Sequence, residues 1–131
     1  KFGEKSISEL YQLTLREVSR IFSGNKEIQN VLLTVERLHL SRLTLAQSTA
    51  RLTASEFQRL ALVRVLSSTS VKAVLLLDNP FSELDESEVA SCVEVLRQKA
   101  NTGLTIVYSA HDRFAVNAAD AQIVCGAVAK R

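Results

Sequence analysis

Asp78 ends a short apolar run, Ala73-Val74-Leu75-Leu76-Leu77-Asp78, and His111 follows a second such run in Ser109-Ala110-His111-Asp112. In open α/β sheets, functional groups gather just beyond the carboxyl ends of strands. A carboxylate there can hold Mg²⁺, directly or through water, and an imidazole there can touch a terminal phosphate. Asn79, next in the chain, can orient a water by hydrogen bonding but cannot accept its proton. Taken singly, each residue has an ordinary reading: a strand-ending Asp caps a turn or helix, and a lone His is more often structural than catalytic. The elements around them decide between the two.

The run 73–78 is continuous, apolar and short, as expected of a strand buried on both faces of a parallel sheet, and Asn79-Pro80 stops it. Residues 104–108 form a second strand of the same kind, and Ile123-Val124-Cys125 a third, after a short helix from Phe114 to Ala118. Between the first two strands, Leu84-Asp85 caps a helix with Glu88 at its third position. Its apolar side carries Val89, Cys92, Val93 and Leu96, and Asn101-Thr102-Gly103 ends it. Upstream, Thr53-Ala54-Ser55-Glu56 reads as a capping box with Leu52 and Phe57 as its hydrophobic staple, opening a helix to about Ser67. Thr14-Leu15-Arg16-Glu17 is another such box, stapled by Leu13 and Val18, for a helix to about Phe22. Past the break at Ser23-Gly24-Asn25, Ile28, Val31, Leu32 and Val35 make the stripe of a further helix. Leu38, Leu40, Leu43 and Leu45 continue as a less regular apolar connection, and residues 47–51 as a small-residue polar loop. The alternation of strand and helix argues an α/β fold with parallel strands and flanking helices, preceded by a helical region. The expected division is 1–51 for that region and 52–131 for the α/β part.

A chain of 131 residues, 47% apolar and 23% charged, is ordinary for one globular unit with a real core. No apolar run approaches the roughly 20 residues that span a bilayer, and no apolar stretch follows the first residues as in a secretory leader, so no membrane partner is expected and the location reads as cytoplasmic. The absence of methionine suggests a piece of a longer polypeptide. Cys92 and Cys125 lack metal-ligand spacing and read as buried, reduced thiols. A net charge of +2 is too small to imply nucleic acid by bulk electrostatics. Arg16, Arg20, Lys26, Arg37, Arg42 and Arg51 make the first third more basic, and Arg16, Arg20, Arg37 and Arg42 among them are candidate phosphate contacts, although a solvated surface explains each of them as well.

Four segments in order carry a resemblance. Leu52-Thr53-Ala54-Ser55-Glu56-Phe57-Gln58-Arg59 resembles the ABC signature LSGGE-x-QR, and Val74-Leu75-Leu76-Leu77-Asp78-Asn79-Pro80 resembles a Walker B strand followed by Glu-Pro. Ser82-Glu83-Leu84-Asp85 resembles the D-loop, and His111 stands at the switch-histidine position. The chain is thereby similar to the signature-motif half of an ABC ATPase nucleotide-binding domain. Upstream, Gly3 to Leu10, Leu13 to Val18 and the stretch to Gln47 look like the segment before the second signature motif of the UvrA family of bacterial excision repair.

That resemblance implies ATP and Mg²⁺ as cofactors of the complete protein, with Asp78 as metal carboxylate and Asp78, Asn79 and His111 at the catalytic positions. It implies that Thr53, Ala54, Ser55 and Glu56 face nucleotide in trans, and that Ser82 and Asp85 are D-loop residues. The implied partners are a P-loop half from the same polypeptide, a second nucleotide-binding domain in a dimer, and DNA. No GxxxxGK[ST] segment occurs in the sequence, so the chain by itself is expected to take no ATP. Two departures stand out. Ala54 and Ser55 occupy the signature glycines, where a Cβ obstructs close backbone approach to phosphate. Asn79 occupies the position of the water-polarising glutamate. Three readings follow: a degenerate domain in which nucleotide controls assembly with little or no hydrolysis, half of a working DNA-repair ATPase, and a nucleotide-independent structural or interaction domain.

Overall fold

The computed structural model describes residues 5–70 and 72–126. Among these residues six α-helices and two strands follow in the order α1 (Ile7–Gln12), α2 (Leu15–Ile21), α3 (Lys26–Arg37), α4 (Ala54–Ser68), β1 (Val74–Leu77), α5 (Glu86–Asn101), β2 (Thr105–Tyr108) and α6 (Arg113–Ala118). A single 3₁₀ turn, Thr49–Arg51, stands just before α4.

Helix starts are written in side chains. Thr14, Thr53 and Asp85 each accept from the backbone N–H three residues on, and Glu17, Glu56 and Glu88 reach back to the cap N–H, closing a reciprocal box at α2, α4 and α5. The same box at Ser6 and Glu9 starts α1, a helix absent from the sequence expectations; it has only six residues and buries none. Gly3 and Glu4, part of the upstream resemblance, lie outside the described residues. Helix α5 ends as expected, with Gly103 at φ 103°, a conformation open to glycine.

The irregular connection after α3 is held by backbone pairing. The Leu15 N–H donates to the Leu43 carbonyl at 2.8 Å and the Leu45 N–H to the Leu13 carbonyl at 3.3 Å, around an antiparallel bridge between Thr14 and Thr44. Those bonds satisfy polar backbone that would otherwise be costly to bury. Leu38, Leu40 and Leu43 can therefore enter the core, while Leu45 stays exposed. They join Leu62, Leu66, Val89, Cys92 and Leu96 in one core cluster that draws residues from both sides of position 51. Leu52 packs against this core, but Phe57, its expected staple partner, is exposed.

The sheet among the described residues has two parallel strands, with Val74 opposite Thr105 and Leu77 opposite Tyr108. Leu75, Leu77, Ile106 and Tyr108 face the core, and the Tyr108 ring meets Phe81 edge-on at 5.3 Å. The expectation of strands buried on both faces is corrected: Leu76 is 73% exposed, and Val74 and Val107 are exposed beside it. Nothing among the described residues packs on that face. The third strand is corrected too, since Ile123 is 92% exposed and residues 122–126 take no regular structure. A strand needs a neighbour for its backbone, and none of the described residues supplies one. Cys125 is exposed for the same reason, whereas Cys92 is fully buried.

Candidate functional site

Beyond the carboxyl ends of the two strands, one hydroxyl ties the chain together. Ser109 Oγ donates to Asp78 Oδ1 at 2.8 Å and accepts from the Asn79 N–H at 2.7 Å. Parallel pairing brings residue 109 there, because the Ser109 N–H itself donates to the Leu77 carbonyl at 3.0 Å and carries the ladder one step past β2. The second Asp78 oxygen makes no hydrogen bond with the described residues. A single exposed carboxylate with a free oxygen suits Mg²⁺, which keeps most of its waters and takes further ligands from phosphate rather than from an all-protein cage. The described residues contain no cluster of three or more His, Cys, Asp or Glu side chains able to hold a metal.

Asn79 adopts φ 47°, in the left-handed region where Asn is the best tolerated residue after glycine. Pro80 behind it is buried, so the chain turns sharply away from β1 at this point. His111 is exposed and makes no hydrogen bond or ion pair with the described residues. Ser82 is exposed, its N–H donating to the Asn79 carbonyl at 3.4 Å, and Asp85 is committed as N-cap of α5.

The start of α4 is built more tightly. Thr53 Oγ1 accepts from the Glu56 N–H at 3.1 Å, and Glu56 accepts from the Thr53 N–H at 2.9 Å and from Arg42 at 2.7 Å. The Thr53 backbone bond first, and Arg42 after it, hold the Glu56 carboxyl below the ordinary glutamate value. Ala54 is exposed on the first turn. The Ser55 hydroxyl lies 2.8 Å from both carboxylate oxygens of Glu88 on α5.

Arg59, quoted within the sequence motif but given no role there, proves to be a junction. Only 5% of its side chain is exposed; it pairs with Glu88 at 2.8 Å and donates to Ser55 Oγ at 3.1 Å and to the Leu38 carbonyl at 2.7 Å. Leu38 is the C-cap of α3, so the guanidinium satisfies a carbonyl at the negative end of that helix. Beside its place in the motif, the sequence signal for this junction was an arginine one turn from a capping box, with a glutamate at the third position of the next capped helix. Cys92 lies close to this cluster, and burial pushes its thiol up to about 12, which leaves it protonated and inert.

The four arginines separate. Arg42 is taken by Glu56 and Arg37 by Gln98, whereas Arg16 and Arg20 line an open groove between α2 and α3 together with Ser19, Glu36 and Ser41. The site residues thus fall into two groups, one at the strand ends and one at the starts of α4 and α5. A shallow hollow lined by Gln58, Val65, Leu77, Asp78 and Pro80 runs between α4 and the end of β1.

No family model matches the chain. It is 28% identical over 121 residues to the UvrABC system protein A of Clostridium acetobutylicum, a match that covers 92% of this chain and 13% of that protein. The Streptococcus pneumoniae protein of the same name is 29% identical over 120 residues, covering 91% of this chain and 13% of the relative. Among solved structures, UvrA2 from Deinococcus radiodurans superposes with a TM-score of 0.78 at 26% identity, over 92% of this chain and 15% of that one. The chain therefore spans about an eighth of the length of the curated relatives it matches.

Proposed function

We propose that this chain, which is UvrA-like over nine-tenths of its length, supplies the signature, Walker B, D-loop and switch-histidine elements of a nucleotide-binding domain in a DNA-associated assembly. The observation that carries the reading is the pairing of Asp78 with Ser109 across the ends of two parallel strands, with the capped start of α4 as the signature-like turn. ATP with Mg²⁺ is the ligand in the complete protein, and a P-loop half supplies the main phosphate contacts. In that setting Asp78 holds the metal through its free oxygen, His111 is available to a terminal phosphate, and the α4 N-terminus faces the nucleotide of an opposing domain in a dimer. Asn79 can orient a water but removes no proton, so hydrolysis is slow. DNA and a second nucleotide-binding domain are the partners, and the location is cytoplasmic; no helix of the described residues is long and apolar enough to cross a membrane.

Calorimetry tests the division of labour. The 131-residue chain should give no saturable heat with micromolar Mg-ATP, because no lysine-bearing phosphate loop is present in its sequence. Saturable binding by the chain alone would refute the reading. A nucleotide-independent interaction domain is the second reading, favoured by a Ser55 hydroxyl already engaged within the protein.

A further inference from the structure

We propose that Ser55 is a positioning residue which, through Glu88 and Arg59, fastens the first turn of α4 to the first turn of α5. The signature-like turn and the segment that leads from β1 into α5 then keep a fixed relative placement.

Glu88 lies at the centre of the linkage. Its carboxylate does two jobs: within α5 it closes the capping box by accepting from the Asp85 N–H at 3.1 Å, and across the helix interface it accepts from Ser55 and from Arg59. One hydroxyl proton is shared between the two carboxylate oxygens, both 2.8 Å from Ser55 Oγ, and Arg59 donates to that same Oγ at 3.1 Å. The three side chains form a closed triangle in which each touches the other two. Bonds to a charged acceptor are the strong ones, and a partly buried triangle keeps that strength from being screened away. Arg59 ties its far side to the C-cap of α3, so the triangle is anchored to a third helix and cannot drift as a pair.

Serine at 55 has a specific consequence. Glycine or alanine there leaves Glu88 with the Arg59 pair and its own cap, and the direct strap between the two first turns is gone. The side chain is turned toward α5, where it is consumed in holding that helix. Under the proposed function, which this point alone rests on, the fixed placement makes the two nucleotide-facing turns move as one body. The linkage itself stands or falls without nucleotide.

Amide hydrogen exchange on the intact chain, followed by mass spectrometry and NMR, decides it. Ser55→Ala should speed exchange of the Asp85 N–H, which lies on the other element and bonds only to Glu88, by about fivefold, the factor that corresponds to losing about 1 kcal/mol of local protection. Amides in the middle of α5, at Cys92 and Val93, report any general loss of stability and supply the correction. In a Glu88→Gln background, which keeps the shape of the side chain but turns one of its two acceptor oxygens into an NH₂ donor and so breaks part of the triangle, the same Ser55→Ala change should add little at Asp85, because the strap is already weakened. An effect of Ser55→Ala confined to α4, or equal and fully additive effects of the two changes at Asp85 after correction, would overturn the proposal.

Discussion

Asn79 combines a positive φ of 47° with a backbone N–H fixed on Ser109 and a position directly after Asp78. Left-handed backbone costs most residues about 1–2 kcal/mol and glycine almost nothing. Asn79→Gly is therefore expected to leave stability within about 0.5 kcal/mol, and Asn79→Glu to lower it by about 1 kcal/mol in urea unfolding. Under the proposed function, that strain bears on catalysis. A positioned general base is worth on the order of 10²-fold or more, yet Asn79→Glu alone should not deliver it, since the turn that aims the side chain is built around Asn. Glu56 carries a pH dependence whose sign is fixed by its lowered pKa. The stabilisation it gives is complete above the ordinary value of 4.5 and is lost as pH falls through the lowered one. Thermal midpoints measured downward from pH 5 should fall less steeply for Glu56→Gln than for the parent chain; equal slopes would remove Glu56 from the account.

Element boundaries were legible wherever a local signal fixed them. The capping boxes at Thr14, Thr53 and Asp85 state where helices begin in four residues each, and all three helices start there. Strand burial was not legible in the same way, because an apolar run says that a face wants covering and not that the covering is present. Val74, Leu76 and Val107 show the difference, and Ile123 and Val124 show it more strongly, with neither a neighbour to pair with nor a face to cover them among the described residues. Helix α1 was missed because six residues with no buried side chain give periodicity nothing to register, although the Ser6 and Glu9 box was there to be read. The open sheet edge and its apolar face should make the chain self-associate. Light scattering across a wide concentration range is expected to show mass rising with concentration, and Leu76→Lys, placed on an exposed position, to suppress the rise without moving the unfolding midpoint. A strictly monomeric parent chain would contradict this.

At the scale of the whole molecule, one core joins the α3 end of the chain to the strands through Leu38, Leu62, Leu66 and Val89, and Arg59 pins the same junction by hydrogen bonds. The position of Asp78 beyond a strand end was readable because it follows an apolar run directly, and that of His111 because it stands just past a second one. The Arg59 junction was not, because its partners Leu38 and Glu88 stand 21 and 29 residues away and no local pattern links them. The central claim is that this chain serves as the signature and Walker B part of a nucleotide-binding domain. The direct measurement is Mg²⁺-dependent nucleotide binding and phosphate release by a chimera in which this chain replaces the matching segment of Deinococcus radiodurans UvrA2. The account predicts a folded chimera that binds Mg-ATP, turns it over more slowly than unmodified UvrA2, and loses its Mg²⁺-dependent turnover with Asp78→Ala. Nucleotide binding and turnover that are indifferent to Asp78→Ala would contradict it.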